Sequence, residues 1–376
     1  MKYIKRDLQQ LIEEWLFRNK IIILYGARQV GKTTLVKEIL KKHKCVNGYF
    51  NCELLPIKQL LERQDLNEIK RSFEGLPIVV LDEAQKINQI GLLLKMIHDT
   101  YPDIQLIATG SSSFTLSSQV QEPLTGRGLE FMLYPFSYAE MSQIYRPIDL
   151  TEKIKSFLQY GLYPEIVTQS ESESVFLLNN LTSKYLYRDV FEFETIKRPE
   201  LIVQLLQSLA FQIGSEVSHH ELSIQVKANV KTVERYLDLL EKAFVIYRLK
   251  ALSRNLRNEI GTKEKIYFYD MGMRNSLINQ FNPVPLRNDI GVLWENFCII
   301  ERVKSRQIQK KYGPVYFWRT HDQKEIDYVE EENGAFHGFE FKWNPNAKLK
   351  KPTLFTEKYY GTVTVVHPNN IDLFLK

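Results

Sequence analysis

Eight consecutive residues, Gly26-Ala27-Arg28-Gln29-Val30-Gly31-Lys32-Thr33, carry the spacing GxxxxGK[ST]. In that spacing the glycines let backbone N–H groups turn inward around phosphate oxygens, and the Lys and hydroxyl residues complete a nucleoside triphosphate site. Lys32 is expected on the β- and γ-phosphates and Thr33 on Mg²⁺. Thr34 closes the set of nucleotide contacts expected from this loop. A second pattern follows at Ile78-Val-Val-Leu81-Asp82-Glu83, an apolar strand ending in two acids. Asp82 suits Mg²⁺ through its water shell. Glu83 suits a general base that polarises the attacking water. The competing reading of these acids is a helix N-cap. A third segment, Leu106-Ile-Ala-Thr109-Gly110-Ser111-Ser112, ends a strand in hydroxyl residues. Ser111, and after it Thr109, can face the γ-phosphate or the water. Finally Arg127 stands between Gly126 and Gly128. Inserted at a neighbouring subunit's γ-phosphate it would speed hydrolysis; the alternative is a structural surface arginine.

A separate set of charged residues lies near the C-terminus, from Glu325-Ile-Asp327 to Glu340-Phe-Lys342. Asn333-Gly334 between two alternating runs predicts a two-residue hairpin. That turn sets Asp327 opposite Glu340, with Cβ atoms about 5 Å apart. Opposed like charges destabilise a hairpin unless a cation compensates, and Mg²⁺ takes carboxylate oxygens. Lys342 follows two residues on and can orient water or stabilise a pentacovalent phosphate. The alternative is a sheet-surface pair of Lys342 with Glu325 or Glu340. Arg319 or Lys324 can hold backbone phosphates.

The elements that must position these groups read as an α/β chain. Residues 21–25 and 78–82 are continuous apolar runs, as in strands buried on both faces. Residues 49–52, 104–110 and 129–137 fit further strands. Helices are expected over 1–19, 32–42, 56–73 and 89–100. Strands alternating with helices imply a parallel sheet covered on both faces. Residues 150–215 are helix-like. Residues 219–250 have helix–turn–helix spacing, with a polar turn near Ala228-Asn229 and Val233, Tyr236, Leu237, Leu239 and Leu240 inward on the second helix. Val245-Ile-Tyr-Arg-Leu249 then supplies a wing strand. Lys231, Thr232, Glu234 and Arg235 would face outward, a surface that can enter a DNA major groove, although Glu234 and Asp238 on it repel phosphate. Packing or protein contacts are the other use of such a module. Strands return from residue 266 onward.

Composition limits the function classes. The chain has 376 residues, 44% hydrophobic and 25% charged, with a net charge of +5. That is ordinary globular composition with room for two or three domains. No apolar run approaches the roughly 20 residues of a membrane span. The three cysteines, Cys45, Cys52 and Cys298, form no CxxC pair, so neither a zinc site nor a disulfide framework is indicated. A reducing cytoplasm is the expected location, with no membrane partner. The basic excess permits a nucleic-acid partner without demanding one.

The segments GARQVGKTT, VVLDEAQ, ATGSSSF and LTGRGLEFMLYPFSYAEM, in that order, resemble the prokaryotic AAA-type ATPases of the archaeal-ATPase kind. The resemblance continues through Tyr160-Gly-Leu-Tyr-Pro164 and Tyr187-Arg188-Asp189 and spans essentially the whole chain. It implies a AAA-type core over residues 1–138, a helical lid over 139–215, a winged-helix-like segment over 216–255 and a restriction-endonuclease-like α/β domain over 256–376. The C-terminal Asp…Glu-x-Lys run is similar to the core of restriction-endonuclease-like phosphodiesterases. That likeness adds Glu295, in Gly291-Val-Leu-Trp-Glu295-Asn, as a helical acid beside Asp327 and Glu340 in a metal set. One departure is Ile326, where that pattern usually has Pro. The function expected is Mg²⁺-dependent ATP hydrolysis coupled to DNA binding or to metal-dependent phosphodiester cleavage, in a homo-oligomer if Arg127 acts between subunits. The alternative is an ATP-driven regulatory switch whose C-terminal domain binds without cleaving. A small-molecule kinase would leave the long C-terminal half unexplained.

Overall fold

The computed structural model describes residues 3–110, 123–185, 198–252, 264–320, 324–347 and 353–376. Two compact units are present, the first built on residues 1–136 and the second on most of residues 137–376.

In the first unit the described elements run α1 (Asp7–Glu13), β1 (Ile21–Tyr25), α2 (Lys32–Lys42), β2 (Tyr49–Asn51), α3 (Leu55–Glu62), α4 (Leu66–Ser72), β3 (Ile78–Asp82), α5 (Ile90–Thr100), β4 (Gln105–Gly110) and β5 (Gly128–Met132). The strands form one parallel sheet in the order β2-β3-β4-β1-β5. Every residue of β1, β3 and β4 is buried, as apolar strands covered on both faces require. Helix α2 turns Leu35, Val36, Ile39 and Leu40 inward and ends on Lys41 and Lys42, where positive charge suits the helix dipole.

Three expected boundaries shift for identifiable reasons. The N-terminal helix is shorter than residues 1–19: Phe17 and Asn19 adopt left-handed φ of 59° and 54°, and the Phe17 N–H donates to Gln105 Oε1 at 2.6 Å. The expected helix over 56–73 is two helices. Gln64 is left-handed at φ 54°, and Asp65 caps α4 by accepting from Asn67 N at 2.9 Å and Glu68 N at 3.3 Å. Strand β5 ends at Met132 rather than 137. Leu133 N still donates to Tyr25 O at 2.7 Å, but Pro135 has no N–H with which to continue.

In the second unit the described elements are α6 (Tyr138–Met141), α7 (Pro147–Tyr160), α8 (Glu171–Tyr185), α9 (Pro199–Phe211), β6 (Glu216–Val217), α10 (His219–Gln225), α11 (Val230–Lys242), β7 (Ile246–Lys250), β8 (Glu264–Phe268), α12 (Met271–Leu277), α13 (Ile290–Ile308), β9 (Val315–Arg319), β10 (Glu325–Glu332), β11 (Ala335–Phe341), α14 (Thr353–Tyr359), β12 (Thr362–Val366) and α15 (Ile371–Leu375). Strands β6, β8 and β7 make a three-stranded antiparallel sheet. Residues 216–255 and 256–376 therefore share a sheet, across the boundary expected at 255.

The second sheet has the order β12-β11-β10-β9. Its β10–β11 hairpin turns on Asn333-Gly334, both at positive φ (52° and 82°), and pairs Glu332 with Ala335 out to Tyr328 with Phe339. Between β10 and β9 the register slips between Ile326 and Val329. The extra residue there changes the phase of side-chain alternation. Ile326 and Val329, three apart, consequently enter one apolar cluster with Trp318, Phe355 and Tyr359.

A buried ion-pair group ties α13 to β10. Arg302 Nε and Nη2 bond Glu330 Oε1 and Oε2 at 2.7 and 2.9 Å, and Arg306 Nη1 lies 3.0 Å from Oε1. Removing one partner of such a group strands the other charge. Glu330→Ala is expected to cost about 3–5 kcal/mol of stability in denaturant titration. Burial alone would raise the Glu330 pKa, but the hydrogen bonds and charges of Arg302 and Arg306 outweigh it and hold it below its ordinary value. A depressed folded-state pKa contributes stability above the unfolded value of about 4.3 and loses it as pH falls through the folded one. The gap between wild type and Glu330→Ala should therefore be full at neutral pH and narrow below about pH 4.

Candidate nucleotide site and a C-terminal charge cluster

The loop from Gly26 to Gly31 leaves the end of β1 and enters α2. Gln29 and Gly31 are left-handed, at φ 62° and 98°, which turns successive backbone amides toward one side. A Cβ on Gly26 would stand 2.3 Å from the Leu133 carbonyl oxygen, so only glycine fits there. Lys32 is buried, and its Nζ donates to Gly26 O at 2.8 Å and Ala27 O at 2.9 Å. Ala27 and Val30 are buried, Arg28 is half-buried, and Gln29 and Thr34 are exposed.

Asp82, at the end of β3, is 2% exposed and collects three hydroxyls. Thr33 Oγ1 donates to Oδ2 at 2.8 Å, Tyr49 OH donates to the same oxygen at 2.5 Å, and Thr109 Oγ1 donates to Oδ1. Thr109 also accepts the N–H of Glu83 at 3.2 Å. Glu83 holds φ 56°, a left-handed conformation that a Glu adopts only when its surroundings fix it. Its Oε2 accepts from Gln85 Nε2 at 2.6 Å. Thus Thr33, Asp82, Glu83 and Thr109, from three neighbouring elements, meet at the C-terminal edge of the sheet. Of the hydroxyl residues expected at the end of β4, Thr109 lies among the described residues and reaches both Asp82 and the Glu83 N–H. Ser111, the first choice from sequence, lies outside the described residues, as do Tyr187, Arg188 and Asp189.

Two residues of this site carried no sequence signal. Tyr49 enters from β2, and its phenol pKa is held well above the ordinary value, by burial first and then by donation to Asp82. Arg6 lies just ahead of α1 and is buried. Its guanidinium donates to Val30 O at 2.7 Å and Tyr134 O at 2.6 Å and covers the Phe136 ring at 4.7 Å. It bolts the phosphate loop to the chain leaving β5. Cys52 beside Asp82 is fully buried, and burial, then the charges of Asp82 and Glu83, push its thiol up to about 12.

Arg127 is at the other end of the sheet. It precedes β5, whose Gly128 pairs with Ile21, while the loop follows Tyr25, which pairs with Met132. Four residues of strand rise separate the two levels by about 13 Å. Arg127 forms a two-pronged pair with Asp99, at 2.8 and 3.1 Å. It does not join Lys32 and Glu83 of its own chain.

In the second unit the C-terminal charges converge differently from expectation. Asp327 lies just past the last ladder pair, Tyr328 with Phe339, and its Oδ2 accepts the Phe341 N–H at 2.8 Å. Glu340 Oε2 pairs with Lys342 Nζ at 3.3 Å. Glu295, on α13, accepts from Tyr267 OH at 2.7 Å and from Lys265 Nζ at 3.1 Å. Lys265 also pairs with Glu325. Burial, then the charge of Asp327, push the Glu295 carboxyl up to about 7 against the pull of Lys265 and Tyr267. Among the described residues no three His, Cys, Asp or Glu side chains are arranged to hold a metal ion. Of the acids expected in a metal set, Glu295 is paired with Lys265 of β8, whose other partner is Glu325, while Glu340 pairs with Lys342 and Asp327 accepts the Phe341 N–H.

In residues 216–255, α11 buries Val233, Tyr236, Leu237, Leu239 and Leu240 as its periodicity predicts. Its outward acids are engaged: Asp238 with Arg248 at 2.5 Å, and Glu234 with His219 at 3.3 Å. Lys231 and Arg235 are exposed on that helix.

Comparison with known proteins agrees with the first unit's architecture. Residues 18–142 match a family model described as an AAA domain. Residues 151–284 and 290–375 match two models described as domains of unknown function. An uncharacterised protein of Mycobacterium tuberculosis is 26% identical over 372 residues, covering 97% of this chain and 80% of that protein. An uncharacterised protein of Haemophilus influenzae is 24% identical over 346 residues, covering 86% and 82%. Among solved structures, a Walker-type ATPase of Pyrococcus abyssi superposes with a TM-score of 0.50 at 16% identity, over 73% of this chain and 96% of that one. The first unit thus has the fold of a AAA-type P-loop ATPase. No helix among the described residues is long and apolar enough to cross a membrane.

Proposed function

We propose that the protein binds ATP with Mg²⁺ in the Gly26–Thr34 loop, hydrolyses it, and uses the nucleotide state to change what its second unit binds. The observation that carries this reading is the convergence of the Thr33, Tyr49 and Thr109 hydroxyls on Asp82, with Thr109 also holding the Glu83 N–H, beside a buried Lys32. The donor set fits a hard cation: a hydroxyl and a carboxylate already 2.8 Å apart at the phosphate loop. Thr33 and Asp82 would hold the ion, which supplies charge neutralisation at the β- and γ-phosphates. Lys32 exchanges its bonds to Gly26 O and Ala27 O for phosphate oxygens. Thr109 fixes Asp82 and the Glu83 backbone, and the Glu83 carboxylate takes a proton from the attacking water. Arg127 serves the site of a second copy, because its own loop is beyond reach, so the active form is a homo-oligomer.

Binding of a fluorescent ATP analogue tests the first step. Wild type should bind more tightly with Mg²⁺ than with EDTA, and Thr33→Ala should lose most of that difference. Equal affinity with and without Mg²⁺ in wild type would remove Thr33 and Asp82 from the proposed role.

For the second unit we propose DNA as the partner, through the face of α11 carrying Lys231 and Arg235, whose neighbouring acids are already paired with His219 and Arg248. A switch is favoured over cleavage by one observation: Lys265 pairs with Glu295, one of the carboxylates that a cleaving metal would need. Affinity for duplex DNA should differ between the apo, ADP and ATP-analogue states. Identical affinity in all three, or none in any, would count against the coupled switch.

A further inference from the structure

We propose that Lys265 is the resident cation of the C-terminal carboxylate cluster, its ammonium taking the place a divalent ion would occupy, so that the acids bind the protein's own side chain and not a metal. Lys265 is only 2% exposed, on a strand whose every residue is buried. Its Nζ lies 5.5 Å from the centre of the Phe317 ring. The same Nζ is 3.1 Å from Glu295 Oε1 and is paired with Glu325 Oε1. These two acids come from α13 and β10, so one ammonium joins three elements of the unit.

The remaining acids have donors of their own. Asp327 Oδ2 takes the Phe341 N–H, and Glu340 takes Lys342. Glu295 Oε1 already serves both Lys265 and Tyr267. Mg²⁺ demands near-octahedral oxygens at about 2.1 Å. An ammonium offers three hydrogen-bond donors and no lone pair, so it satisfies the acids it meets, and its positive charge repels a second cation placed beside them. The inference does not depend on ATP chemistry in the first unit.

Mn²⁺ binding to the full chain without nucleotide, followed by the electron paramagnetic resonance of the free ion, tests it. Wild type and Asp327→Asn should bind Mn²⁺ identically, which cancels any ion held at the phosphate loop. Lys265→Ala should gain one Mn²⁺ site, and Lys265→Ala with Asp327→Asn should lose it again. Lys265→Met, which keeps the side-chain volume, serves if the alanine variant does not fold, and the wild-type comparison with Asp327→Asn stands without either. A wild type that holds one more Mn²⁺ than Asp327→Asn overturns the proposal, as does a folded Lys265 variant that gains none.

Discussion

Glu83→Gln is expected to leave ATP binding close to wild type and to lower the rate of phosphate release by about 10²–10⁴-fold, the range for losing a positioned general base. The amide keeps the size of the carboxylate and can still engage Gln85, which now donates to Glu83 Oε2. Folding should be little affected, because the left-handed backbone at Glu83 is fixed from outside the side chain, by its N–H bond to Thr109. The discriminating comparison is with Asp82. Asp82→Asn alters the carboxylate on which Thr33, Tyr49 and Thr109 converge. It should therefore weaken Mg²⁺-dependent binding as well as turnover. Were Glu83→Gln to bind ATP much more weakly while hydrolysing what it binds at the normal rate, Glu83 would be a binding residue and not the base.

Arg127→Ala should reduce turnover by about 10³–10⁵-fold, the effect of removing an arginine supplied to a neighbour's γ-phosphate. Arg127 is more than a third exposed and its pair with Asp99 is at the surface, so the fold should tolerate the change. The position of Arg127 one strand length from its own loop gives the experiment its sign. Arg127→Ala retains an intact Glu83, and Glu83→Gln retains an intact Arg127. Mixed together, two nearly inactive variants should recover part of the wild-type rate, because one supplies the arginine and the other the site. Wild-type specific activity should also rise with protein concentration. A mixture no more active than its components, with wild-type activity independent of concentration, would return Arg127 to the role of a surface partner for Asp99.

The parts of the site that were legible in sequence are those whose signal is local. The Gly26–Thr33 spacing, the apolar run before Asp82 and the runs at 21–25 and 104–110 each declare themselves within a few residues. So does the Asn333-Gly334 turn, which sets the hairpin register out to Tyr328 and Phe339. What could not be read depends on which distant segments become neighbours. Tyr49 reaches Asp82 because β2 lies beside β3, and Arg6 reaches Val30 and Tyr134 through a fold that brings both chain segments to the loop. The extra residue between Ile326 and Val329 is invisible to simple alternation. Lys265 is the costliest omission. Read as part of an apolar strand, it gives no hint of meeting Glu295 and Glu325. The pairing of β7 with β8 likewise follows from a partner choice that no composition change marks at residue 255.

The most direct measurement is steady-state phosphate release from ATP by the purified chain, with and without Mg²⁺, beside Lys32→Ala. Hydrolysis that requires Mg²⁺ and disappears in Lys32→Ala is the predicted result. Absence of Mg²⁺-dependent hydrolysis by wild type at any protein concentration, with or without DNA, would contradict it, as would equal rates in wild type and Lys32→Ala.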